Sequence, residues 1–155
     1  MNNRTVAENW RQQTGKAHKS GSRGNLYYVG RAIYSYGGHF PIAFITGKQH
    51  KGKDIILWNI DRYSHSTAKH QHHVSSQLYN DQRIGISTEL LQKAIAAYEH
   101  KGKLNAVIRS AIRIEQEQRI RKAIRSVELS RKYKEIIQSE VEALEQEASA
   151  LDWAL

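Results

Sequence analysis

Residues 104–151 contain neither glycine nor proline, so no residue with an intrinsic helix-breaking backbone interrupts that stretch. Within it Ile120, Ala123, Val127, Ser130, Lys134, Ile137, Val141, Leu144, Ala148 and Leu151 follow one another at alternating spacings of three and four. All but Ser130 and Lys134 are apolar. That is a heptad-like seam, and it predicts one long helix, or two joined by a bend near residues 115–119. Around its first half lie Arg119, Arg121, Lys122, Arg125, Arg131 and Lys132; around its second lie Glu140, Glu142, Glu145, Glu147 and Asp152. A parallel pair would stack like charges along both flanks, whereas an antiparallel arrangement centred near Lys134 sets base opposite acid. The expectation is therefore antiparallel pairing, either as a homodimer through the C-terminal helix or as a fold-back within one chain. The alternative is an amphipathic helix that packs on its own domain with its charges solvated.

The rest of the composition sets bounds. A chain of 155 residues is enough for one domain, or for a small domain with a helical appendage. Its formal net charge of +9 makes a polyanionic partner the first expectation. The basic surplus is spread over residues 1–135, and residues 136–155 are acidic. The absence of cysteine removes disulfides, thiolate metal sites and a cysteine nucleophile. No apolar run is long enough to span a membrane and no signal-peptide block is visible, so a cytoplasmic location is expected, in a host cell if the gene belongs to a phage.

Upstream, Thr5 and Glu8 have capping-box spacing for a short helix, and residues 14–24 read as a mobile basic linker. From Asn25 the pattern changes to period two, with four short strands near residues 26–29, 32–36, 40–46 and 54–60. Glycine-containing turns separate them, including one in the run from Gly47 to Lys53, which suggests an antiparallel meander. Pro41 suits a strand start or edge. Ser64, Ser66 or Thr67 can cap a helix running to about Tyr79. Ser87 or Thr88 can cap the next, and Gly102 stops it. The expected fold is α+β: a small antiparallel sheet with a packed helix, then a helical hairpin and a long C-terminal helix. Three regions are expected, 1–24, 25–80 and 81–155.

Tyr27-Tyr28, Tyr34-Ser35-Tyr36-Gly37, Pro41-Ile42-Ala43, Tyr63-Ser64, Thr67, Lys69 and His70 together resemble the motif pattern of an uncharacterised family of small phage and bacterial domains. The resemblance covers residues 25–78. It implies a phage or mobile-element origin and brings no established activity.

The densest polar segment, Tyr63 to His70, combines helix-start N–H groups with Ser66, Thr67, Lys69 and His70, a chemistry that suits a bound phosphate. The same residues also fit plain capping. His65, His70, His72 and His73 invite a metal reading with His39 or Asp61 as a further ligand, but no paired ligand motif accompanies them, and no cofactor or metal is expected. A nuclease would draw on His39 or His70, Asp61, and Lys69 or Arg62. Tyr27, Tyr34, Tyr36 and Tyr63 with Arg31, Arg62 and Lys69 are candidates for a base-stacking surface or, alternatively, for sheet packing. The function these features favour is a non-enzymatic, phage-type module. It would engage nucleic acid or a nucleoprotein complex through Arg31, Arg62, the residues 66–70 cluster and the basic helix residues 119–132. The competing readings are an anti-defence protein that inhibits a host enzyme by contact, and a histidine-dependent nuclease.

Overall fold

The computed structural model describes residues 2–14, 19–21, 25–129 and 134–154. Asn2 caps the first helix, α1 (Asn3–Gln12), by accepting from the Thr5 backbone N–H at 2.8 Å. The cap is thus Asn2 and not Thr5. Part of the stretch read as a linker is a strand, β1 (Lys19–Gly21); residues 15–18 and 22–24 lie outside the described residues. There follow β2 (Leu26–Val29), β3 (Ala32–Ser35), β4 (Pro41–His50), β5 (Lys53–Asn59), α2 (His65–Ser75), β6 (Gln82–Ile86), α3 (Thr88–Lys101), α4 (Ala106–Leu129) and α5 (Lys134–Ala154).

The strands form one sheet in the order β1-β2-β3-β4-β5-β6. The first four pairings are antiparallel, as the meander pattern implies, and β6 joins β5 in parallel. A parallel neighbour requires a crossover, and α2 supplies it. The turn expected in the run from Gly47 to Lys53 falls at Lys51-Gly52, because β4 runs on through a register shift to His50 before the chain reverses. Gly47 stands at φ 77°, a conformation that glycine adopts without strain. Because β1 and β6 both belong to the sheet, the three regions expected from composition share one sheet.

Both faces of the sheet are covered, so β5 buries Ile55, Ile56 and Leu57 consecutively. On one face, Val6, Ala7 and Trp10 of α1 and Val74 of α2 pack against Leu26, Tyr28, Ile33, Ile42 and Ile56. On the other, Leu91, Ala94, Ile95 and Tyr98 of α3, Ile108 and Ile112 of α4, and Ala150 and Leu151 of α5 pack against Phe44, Leu57, Ile84 and Ile86. The architecture is α+β with a long helical C-terminal region.

The C-terminal region is neither one continuous helix nor bent at residues 115–119. It comprises α4, described to Leu129, and α5, described from Lys134; residues 130–133 lie outside the described residues. The two helices fold back on each other, with Arg119 donating to Glu147 at 2.7 Å. This is the antiparallel arrangement of base and acid that the charge inversion predicts. Ile120, Ala123, Val141, Leu144 and Ala148 of the seam are partly buried within the chain. No described helix is long and apolar enough to cross a membrane.

Candidate functional site

At the end of the sheet where β3 stops and β4 begins, the start of α2 closes a cleft of about 380 Å³. It is lined by Ser35, Tyr36, Gly37, His39, Phe40, Tyr63, Ser64 and Thr67. A register shift between Ile33 and Tyr34 precedes the end of β3. Ser35 follows it, buried and in contact with α2. Tyr36 then adopts φ 56°, a left-handed conformation unusual for a bulky side chain. Two backbone hydrogen bonds hold this corner: Ser35 N–H donates to the Phe40 carbonyl at 3.0 Å, and Tyr36 N–H to that of Asn25 at 2.8 Å.

The floor is polar. Ser64 caps α2, accepting from the Thr67 N–H at 3.1 Å, and its hydroxyl donates to Thr67 Oγ1 at 3.0 Å. Ser35 Oγ donates to Thr67 Oγ1 at 3.2 Å and lies 2.6 Å from His70 Nδ1. Ser35, Thr67 and His70 are all buried. The walls are aromatic. Phe40 and Tyr63 lie with ring centroids 5.9 Å apart, and the Tyr36 ring is 5.5 Å from His70. Tyr63, 82% exposed, is largely open to solvent, and Tyr36, 43% exposed, is partly so.

The sequence-predicted residues separate into groups. Thr67 and His70 meet at this site. Ser66 and Lys69 belong to the same helix turn, but both are exposed and neither lines the cleft. Arg31 is exposed near the β2–β3 turn and donates to the Thr46 carbonyl at 3.3 Å. Arg62 lines a different cleft, with Trp58 of β5 and His72 of α2. The four tyrosines do not make one platform. Tyr27 and Tyr34 stack on each other at 5.3 Å across β2 and β3. Burial, helped by the charge of Glu99, pushes the Tyr34 hydroxyl up to about 12. Tyr36 and Tyr63 belong to the cleft.

Arg121, Lys122 and Arg125 are exposed on α4, whereas Arg119 is held inside the hairpin by Glu147 and the Gly85 carbonyl, so it is not available to a ligand. Arg131 and Lys132 lie outside the described residues. Of the residues a nuclease would draw on, Asp61 accepts from the Thr88 N–H and hydroxyl at the start of α3, both at 2.8 Å, and His70 is buried against the Ser35 hydroxyl. Among the described residues no group of three or more histidines and carboxylates is placed to hold a metal ion.

Ser35, Gly37 and Phe40 were not among the candidates read from the sequence, and Tyr36 and His39 were candidates only in other groupings. The blocks Tyr34-Ser35-Tyr36-Gly37 and Tyr63-Ser64 carried the signal, but nothing in the sequence joins segments so far apart. The chain matches no protein-family model, no curated protein and no solved structure.

Proposed function

We propose that the chain is a non-enzymatic module that binds single-stranded nucleic acid, with an unpaired base in the aromatic cleft and backbone phosphates on its exposed cations. The observation that carries this reading is the cleft itself. The open ring of Tyr63 and the partly exposed ring of Tyr36 border a cleft lined by the Ser35, Ser64 and Thr67 hydroxyls, with the His70 imidazole behind Ser35. Rings of that kind offer a face to any base, and stacking is worth about 1–3 kcal/mol per base. The volume suits one heterocycle. The polar floor offers hydrogen bonds to a base edge. The net charge of +9, with Arg121, Lys122 and Arg125 exposed on α4, supplies the sequence-independent attraction.

Fluorescence anisotropy with labelled single-stranded DNA and RNA tests the reading. Tyr63→Ala should weaken binding by about 1–3 kcal/mol, roughly five- to a hundred-fold, while the fold is retained. If neither oligonucleotide binds at about 50 mM salt, the charge serves a protein partner instead, as an inhibitor of a host enzyme would require.

A further inference from the structure

We infer that a second cleft, between the end of β5 and α2, is a binding site for a phosphate group. It has a volume of about 450 Å³ and is lined by Trp58, Asn59, Ile60, Arg62, Ala68, Gln71, His72 and Ser75. None of these residues is acidic. Arg83 borders it, with its guanidinium carbon 4.8 Å from the centre of the Trp58 ring and Nη2 donating to the Ser75 carbonyl at 3.0 Å and hydroxyl at 2.9 Å.

The charge balance is what points to an anion. Arg83 is half-buried, which makes its charge costly unless an opposite charge accompanies it. The carboxylate whose charge reaches it, Asp81, is already engaged by Arg11, which donates to both its oxygens at 2.6 and 2.8 Å. Asp61, next to Arg62 in the sequence, directs its carboxylate to Thr88, and its backbone carbonyl accepts from Gln71 at 3.0 Å. Arg62 and His72 are exposed at the mouth of the cleft. Two guanidinium groups and an imidazole thus border a cleft whose lining includes an indole and no carboxylate. An oxyanion with several acceptor oxygens completes this arrangement, and guanidinium groups suit phosphate oxygens better than chloride. The phosphate comes either from a nucleic-acid backbone, in which case the site extends the one proposed above, or from a small phosphorylated molecule.

Inorganic phosphate is the first probe, because its binding does not depend on whether oligonucleotides bind at all. Phosphate should raise the melting temperature above that in sodium chloride of equal ionic strength, and the rise should disappear in the Arg62→Ala/His72→Ala variant. Both positions are exposed, so this variant removes charge without the contacts Arg83 makes to Ser75 and Trp58; Arg83→Gln is a second variant. Two further arms separate the sources. If the phosphate belongs to a nucleic acid, the slope of log affinity against log salt for a single-stranded oligonucleotide falls by about 0.7 per lost contact in the variant. If it belongs to a small molecule, a mononucleotide loses affinity in the variant and the oligonucleotide slope stays the same. No rise in melting temperature with phosphate, or an equal rise in wild type and variant, overturns the inference.

Discussion

Tyr36 sits at φ 56°, where a side chain with a Cβ is strained, and it stays there while 43% exposed. Packing alone does not account for a strained aromatic that is only partly covered. Tyr36→Gly relieves the backbone and deletes the ring, so thermal unfolding should show stability within about 1 kcal/mol of wild type while oligonucleotide affinity falls. A loss of stability much larger than that would make the ring a structural element. Glu147 gives a second prediction at this scale. Burial raises its carboxyl above the ordinary value of 4.5, against the opposing effect of Arg119. The native state therefore binds its proton more tightly than the unfolded chain, and Glu147 lowers stability as pH rises from about 4.5 through the raised native value. Denaturant unfolding across that window should show wild type losing stability relative to Glu147→Gln as pH rises; parallel profiles would mean that the Arg119 contact cancels the burial. Much of the site was legible at this scale as residue types. Thr67 and His70 were identified from hydroxyl and imidazole density at a helix start. Lys69 and Ser66 were grouped with them because they are adjacent in sequence, yet the helical turn puts them on exposed positions beside the buried Thr67 and His70.

The helices were the most legible elements, since caps and glycine stops are local: Ser64, Ser87 and Gly102 stand where their chemistry put them. β6 was not legible. Of its five residues only Ile84 and Ile86 are large and apolar, and its pairing partner β5 is supplied by tertiary structure across the α2 crossover. The reversal of direction from α4 to α5 was equally hidden, because the sequence between them holds no glycine or proline. What selects the fold-back is the charge inversion together with the way α4 and α5 grip β6. Gly85 is central to that grip. A Cβ built there would lie 2.6 Å from Ile60 Cγ2 and 2.8 Å from Arg119 Nη1. Gly85→Ala should therefore displace the Arg119 contact and destabilise the protein by about 1–3 kcal/mol, measured by chemical denaturation. An unchanged midpoint would show that the hairpin yields at no cost.

At the scale of the whole molecule, two features reinforce each other: a helix-backed sheet that presents an aromatic cleft at one end, and a net charge of +9 with cations exposed on α4. Each makes a different contribution to the proposed binding. Stacking in the cleft does not depend on salt, whereas contacts of Arg121, Lys122 and Arg125 with phosphates release counterions. The most direct test is the affinity for mixed-sequence single-stranded oligonucleotides between about 50 and 200 mM salt, for wild type, Tyr63→Ala and the triple variant Arg121→Glu/Lys122→Glu/Arg125→Glu. The account predicts a linear log–log plot for wild type, a parallel and weaker line for Tyr63→Ala, and a shallower slope for the triple variant. Three coincident lines, or no measurable binding at the lowest salt, would contradict it.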